Sequence, residues 1–188
     1  MTIRRFKGEN MDAKAQLLAR SATFLEEVKN KTAGEALEHW LNETYGPGSA
    51  LYECLARLIR IGVEENWAAN VEIAGPHYRR SRLAEPSSAN GYFSITAVYM
   101  DSMAGGHGDI ARAFRGDYHS HPYGELNMVI PLTPGAQLAG PLGWRSAGWT
   151  CAAPGSHHYA EARGGAVIAL FFLPAGRISY DIKPPIAA

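Results

Sequence analysis

His119, His121 and Glu125 stand close together in the stretch GDYHSHPYGELNMVIPL. Imidazole and carboxylate groups are donors for a divalent metal, and this set suits Fe, Mn, Ni, Zn or Cu without choosing among them. Side chains alternate faces along a β-strand, so the His-x-His spacing puts both imidazoles on one face. Gly124 lets the chain turn before Glu125 returns as an oxygen ligand. Further on, GWTCAAPGSHHYAE offers a tight turn at Pro154-Gly155 and then His157 and His158. Either can present a further imidazole from a neighbouring strand. Coordination positions then remain open for substrate or water, as a catalytic metal requires.

Positioning such a set calls for a rigid β framework. From Val71 onward short β-like runs alternate with turn residues, and the pattern predicts strands at 71–74, 92–100, 113–119, 125–132, 143–149 and 166–173. Gly105–Gly108, Pro134-Gly135, Pro141–Gly143 and Gly164-Gly165 supply connections. Many short strands with Gly/Pro turns favour a sandwich or barrel. The first third reads as helical instead. Leu17, Leu18, Phe24, Leu25 and Val28 recur at helical spacing with Ser21 on the same face, and Asn10 or Asp12 is available as a cap. A second helix runs through EALEHWL to the Gly46-Pro47-Gly48 break. A third carries Leu51, Cys54, Leu55, Leu58 and Ile59 and stops around Gly62 to Asn66. The division expected is a helical extension over 1–68 and a barrel over 69–188, with the helices packing on the barrel or on a partner subunit.

The 188 residues are 46% hydrophobic and 19% charged, an ordinary globular composition long enough to bury a core. Lys plus Arg equals Asp plus Glu at 18 each, so no excess charge recruits nucleic acid or an anionic membrane. No DNA-binding helix pair with a basic recognition surface is apparent. Cys54 and Cys151 form no CxxC pair and read as reduced, buried small hydrophobes. The start, MTIRRFKGENMDAK, lacks an apolar core of signal-peptide length, and the longest apolar run, AVIALFFL, is too short to span a bilayer. A cytoplasmic location is the expectation.

The two histidine segments resemble the paired motifs of the cupin superfamily, G…HxH…E…G and G…P-x-G-x-x-H…N. The resemblance implies His119, His121, Glu125 and His158 as metal ligands, because Gly155-Ser-His-His158 keeps the Gly-to-His interval; His157 then faces substrate or a ligand. Ala113 and Leu132 stand where flanking glycines are usual, Pro154 immediately precedes Gly155, and Ala162 replaces the asparagine. These departures alter turns but keep the ligand intervals. The implied fold is mainly β, a double-stranded β-helix (jelly-roll barrel) with a metal in its interior and the helical extension at its N-terminal side. A homodimer is the expectation that goes with it.

A narrower resemblance covers Leu41 to Tyr180. The order LNETYGPGSALYECLARLIRIGVEENW, HSHPYGELNMVIPL and GWTCAAPGSHHYAEARGGAVIALFFLPAGRISY is similar to the 4-hydroxylaminobenzoate lyase family. That family implies conversion of 4-hydroxylaminobenzoate to protocatechuate and ammonia in the degradation of 4-nitrobenzoate. No nucleotide cofactor is needed, and no nicotinamide or flavin glycine fingerprint is present. Candidate catalytic residues are Glu125, His157 and Tyr123, with Tyr118 and Tyr159 also flanking the ligands. An aromatic carboxylate calls for an arginine. Arg79 and Arg82 are the favoured pair among Arg79, Arg80, Arg82, Arg112, Arg115 and Arg145; Arg80 and Arg82 share a face if HYRRSRL is extended. Trp144 and Trp149 read as packing residues, and His39, His77 and His107 lie outside the motifs. Two other readings use the same ligands: an Fe(II) dioxygenase acting on a small aromatic acid, and a metal-stabilised binding cupin without turnover.

Overall fold

A computed structural model describes residues 12–102 and 113–185. Asn10, His107, Arg112 and the Gly105–Gly108 connection lie outside the described residues. Helix α1 (Ala13–Val28) starts at Asp12, whose Oδ1 accepts the Ala15 backbone N–H at 2.7 Å, satisfying one of the donors a helix end leaves open. Its buried face is the stripe Leu17, Ser21, Phe24, Leu25 and Val28. Helix α2 (Glu35–Tyr45) ends at Gly46, and α3 (Ala50–Glu64) is capped by the Ser49 hydroxyl, which accepts the Tyr52 N–H at 3.2 Å. No helix among the described residues is long and apolar enough to cross a membrane.

The strands follow as β1 (Val71–Glu72), β2 (Tyr78–Ala84), β3 (Phe93–Asp101), β4 (Phe114–His121) and β5 (Glu125–Pro131). After them come β6 (Gln137–Gly140), β7 (Gly143–Arg145), β8 (Gly148–Ala152), β9 (Ser156–Arg163) and β10 (Ala166–Pro174). They form two antiparallel sheets, one in the order β1-β2-β3-β10-β5-β8 and one in the order β4-β9-β6-β7. The fold is the mainly β jelly-roll barrel with N-terminal helices that the sequence led us to expect.

Alternation along the strands splits the apolar residues into two cores. Ile95, Met128, Leu170 and Phe172 point away from the small sheet and pack with Leu17, Phe24 and Leu55 of the helices. Their strand neighbours Val98, Val129, Ala169 and Phe171 point inward, against Leu138, Ala160 and Ala162. Strands β3, β5 and β10 are buried on both faces, which is why they read as continuous apolar runs. The helices therefore cover the outer face of the six-stranded sheet.

Helix α2 also closes an edge. Strand β8 is the last of its sheet, and its free backbone groups meet side chains rather than another strand. Asn42 donates to the Trp149 carbonyl and accepts the Trp149 N–H, both at 2.9 Å, while the buried Glu38 carboxylate accepts the Cys151 N–H at 2.8 Å. Residues one helical turn apart on α2 thus match alternate residues on the strand. The span 143–149, expected as one strand, divides here. Strand β7 pairs with β6 in the small sheet and β8 pairs with β5 in the large one. The crossing between sheets occurs at Gly148, where φ is +119° and a Cβ would lie 2.4 Å from the Asn42 Oδ1. Strands β2, β6 and β9 lie outside the strand spans read from the sequence; none of them contains a β-branched residue. Cys54 and Cys151 are free thiols, with Cys151 buried.

Replacing Asn42 with Ala strips partners from both backbone groups of Trp149. The expected loss is about 2–3 kcal/mol, read as a lower urea midpoint with an unchanged m-value; a midpoint within error of the parent would show that the helix does not hold this edge.

Candidate metal centre

Strands β4 and β9 build the centre. Their antiparallel register places His119 directly opposite His158 and His121 opposite Ser156. The imidazoles of His119, His121 and His158 consequently share the inner face, each ring centroid 4.8–5.0 Å from the others. One ring nitrogen from each lies within 4.8 Å of the other two. The Gly155 N–H donates to the His121 carbonyl at 2.8 Å and the Gly124 N–H to the same carbonyl at 3.1 Å. One peptide oxygen thus anchors both turns that flank the centre. Gly124 has φ +87°, and a Cβ there would meet Ala33 at 2.7 Å, so both its backbone and its surroundings require glycine.

The histidine nitrogens fit a metal. The Nδ1 of His119 lies 2.8 Å from the Asp117 carbonyl. A carbonyl only accepts, so Nδ1 carries the proton and Nε2 presents a lone pair. That Nε2 is buried and has no hydrogen-bond partner. The Nε2 atoms of His121 and His158 lie 3.1 Å apart, and two nitrogens each about 2.1 Å from a shared ion stand roughly 3.0–3.4 Å apart. Burial first, then the neighbouring imidazoles, lowers the pKa of both rings from 6.5 to about 3. They are held neutral, the form that ligates.

Glu125 is fully buried but does not join the three converging nitrogens. Its Oε1 accepts from the Asn127 Nδ2 at 2.6 Å, and its Oε2 faces the Nδ1 of His121 at 3.5 Å. Burial raises its pKa from 4.5 to about 7, against the opposing effects of the Asn127 hydrogen bond and His119. His157 takes the outer face, where it is hydrogen-bonded to the Tyr118 hydroxyl. Tyr159 lies on that face too, its ring 4.8 Å from Tyr118 and under the Arg115 guanidinium. Tyr123 is 55% exposed and borders a different depression, beside Lys29 and Lys31.

A cavity of about 310 Å³ opens onto His119. Tyr78, Arg80 and Arg82 project into it from β2, Thr96 and Val98 from β3, and Tyr180 from the segment after β10. Arg79, favoured from the sequence, takes the opposite face, where its guanidinium lies 4.3 Å from the Tyr99 ring centre. The reason is alternation: Arg79 pairs across the sheet with Tyr99, whereas Arg80 pairs with Val98. Arg82 does reach the cavity and is ion-paired to Glu85 at 3.0 Å. Among the described residues Arg80 makes no ion pair; its Nη1 lies 3.4 Å from the Tyr180 hydroxyl. Arg115 and Arg145 pair with Glu161 and Glu38 instead. The sequence signal for Arg80 was its two-residue spacing from Arg82. Tyr180 carried no such signal, because it follows the last strand in a stretch without periodicity.

The metal-free protein has a defined pH dependence. Between pH 4.5 and 6.5 the unfolded chain protonates His121 and His158 while the folded chain does not; Glu125 keeps its proton only when folded. Two imidazoles against one carboxyl leave the unfolded state with one more proton, so stability falls on acidification by ~1.4 kcal/mol per pH unit. Denaturant titrations at pH 5 and 6 should show this slope, and Glu125→Gln should roughly double it. A flat profile would mean that the imidazoles are not held neutral.

Known proteins resemble this chain over most of its length. The sequence model of the family described as PnbB, 4-hydroxylaminobenzoate lyase, matches residues 19–180. A 4-hydroxylaminobenzoate lyase of Nocardioides sp. (strain LMS-CY) is 61% identical over 175 residues, covering 93% of this chain and 99% of its own. One from Pseudomonas putida is 61% identical over 173 residues, covering 92% and 98%. Solved structures are more distant. A chain from the crystal structures of two DMSP lyases is 14% identical with a TM-score of 0.40, covering 90% of this chain and 98% of that one. A Klebsiella pneumoniae protein with a double-stranded β-helix domain is 16% identical with a TM-score of 0.38, covering 60% and 91%. With the family's sequence pattern running through both histidine segments, the chain belongs to the 4-hydroxylaminobenzoate lyase family, a family of lyase enzymes.

Proposed function

We propose that this chain is a metal-dependent lyase converting 4-hydroxylaminobenzoate and water to protocatechuate and ammonia. The observation that carries the reading is one cavity with guanidinium groups along one wall and His119 of the three-imidazole cluster on another. A para-substituted benzoate has matching ends, an anionic carboxylate and a neutral hydroxylamine. Two relatives at 61% identity bear the name of that activity.

The reaction balances without an external oxidant or reductant. The N–O bond breaks with its electron pair on oxygen, and that oxygen leaves as water after taking a proton. Water enters the ring carbon beside the nitrogen, and hydrolysis of the resulting ring imine releases ammonia. His119, His121 and His158 would hold a divalent cation, and such a cation would supply Lewis acidity. Arg80 and Arg82 bind the carboxylate and fix the ring's direction in the cavity. Glu125 faces His121 through Oε2 at 3.5 Å, a position from which it orients that ring and can exchange a proton with it. The inward-facing Phe171 and Val98 give the ring an apolar wall.

Metal-loaded protein incubated anaerobically with 4-hydroxylaminobenzoate should yield protocatechuate and ammonia in equal amounts. Absence of product both with and without air rejects the lyase assignment, and a strict oxygen requirement points to the dioxygenase reading instead. His121→Ala should lose stoichiometric metal by elemental analysis while keeping its circular dichroism spectrum. A variant that still binds metal one-to-one and turns over would place the metal elsewhere.

A further inference from the structure

The chain does not end its contribution at β10. After Pro174 it reverses through Ala175 and Gly176, with φ +52° and +63°. The Gly176 N–H donates to Leu173 and the Arg177 N–H to Pro174, at 2.9 and 3.2 Å. The segment then returns across the mouth of the barrel. Ser179 makes two backbone hydrogen bonds with Ser120: the Ser120 N–H donates to the Ser179 carbonyl at 2.8 Å, and the Ser179 N–H donates back at 3.0 Å. Ser120 lies between His119 and His121, so this strap is fastened to the strand that carries the centre. Ile178 and Tyr180, on either side of Ser179, both line the cavity.

We propose that Tyr180 is a specificity-determining residue which, together with Arg80, binds the carboxylate of the aromatic substrate; the proposal rests on the lyase reading of this cavity and deepens it. The Tyr180 ring centre lies 5.8 Å from that of His119, and its hydroxyl lies 3.4 Å from the Arg80 Nη1. The side chain therefore spans the interval between the imidazole cluster and the cation. A guanidinium only donates, so the phenol oxygen accepts from Arg80 and its own O–H remains available. That O–H and the remaining Arg80 N–H groups are two kinds of donor for one anion. A hydrogen bond to a charged acceptor is worth more than one between neutral groups. The Tyr180 ring is 45% exposed and lies along the cavity, where it offers a face for an aromatic ring to stack on. A substrate whose carboxylate reaches Arg80 and Tyr180 has its opposite substituent directed toward His119.

The test separates carboxylate recognition from turnover. Metal-loaded wild type, Tyr180→Phe and Ser179→Pro are titrated calorimetrically with 4-hydroxybenzoate, which has no N–O bond to break, and with phenol, which has no carboxylate. The same proteins are assayed with 4-hydroxylaminobenzoate and with phenylhydroxylamine. Tyr180→Phe should weaken 4-hydroxybenzoate binding about tenfold. It should raise KM for 4-hydroxylaminobenzoate by a similar factor with kcat within about twofold, change phenol binding and the KM for phenylhydroxylamine by a smaller factor, and leave metal content unchanged. Ser179→Pro removes the N–H that fastens the strap and, by displacing the Tyr180 ring together with its hydroxyl, should weaken binding of 4-hydroxybenzoate and of phenol alike. Wild-type affinity for 4-hydroxybenzoate retained in Tyr180→Phe, an equal loss for both classes of ligand in that variant, or a wild type that does not bind 4-hydroxybenzoate would overturn the proposal. A wild type that binds 4-hydroxybenzoate through Tyr180 but produces no protocatechuate supports the carboxylate site and rejects only the lyase reading.

Discussion

The centre depends on the register between β4 and β9. Side-chain direction in a strand has a period of two, so a slip of one residue would exchange His158 for His157 on the inner face. The observed pairing of His119 with His158 is held from one end by the Pro154-Gly155 turn, whose Gly155 N–H is bonded to the His121 carbonyl. A register irregularity between Arg115 and Tyr118 lies toward the other end of the ladder. It lets Phe114 pack against Tyr78 without moving the histidines out of phase. Everything the site does follows from three imidazoles being turned inward together.

That register is supported from a distance by the helical third of the chain. The β8 edge leads through Ala152 into the turn that begins β9, so an unanchored β8 would loosen the approach to His158. Glu38 and Asn42 occupy this edge and satisfy its backbone groups without a further strand, which also blocks edge-to-edge pairing. Phe24 packs against both Trp149 and Phe172, at 4.9 and 5.6 Å between ring centres. The same helices therefore brace an edge strand and a central strand of the large sheet. Their buried surface is continuous with the sheet's outer face, and stability lost there would be felt at the turn that leads into β9 and His158.

The sequence made the histidines legible because His-x-His has a fixed consequence in an extended chain, whatever surrounds it. The helices were legible for a similar reason, since Leu17, Phe24, Leu25 and Val28 declare their period locally. What stayed hidden depended on registers between strands. Arg79 and Arg80 are adjacent and chemically identical, and only the pairing of β2 with β3 tells which enters the cavity. Glu125 arrives after a turn whose geometry sets whether its carboxylate meets an ion or the back of His121; spacing alone does not fix that. Tyr123 is one residue from a turn glycine and swings outward with it. Tyr180 belongs to a segment with no periodic pattern, and its position comes from one pair of backbone bonds to Ser120.

The distribution of charge in the barrel gives these parts a common logic. At the inner end, burial lowers the pKa of His121 and His158 to about 3 and raises that of Glu125 to about 7 in the metal-free protein. A buried full charge would cost far more there than at the mouth. At the mouth, Arg80 and Arg82 remain in contact with solvent, where a cation is carried without a desolvation penalty. Without a metal, the inner end therefore disfavours an anion, and the two guanidinium groups favour one at the open end. The C-terminal strap places the Tyr180 hydroxyl at that same end and is fastened through Ser179 to the strand that carries His119 and His121, so the cationic end and the imidazole cluster are positioned by one arrangement.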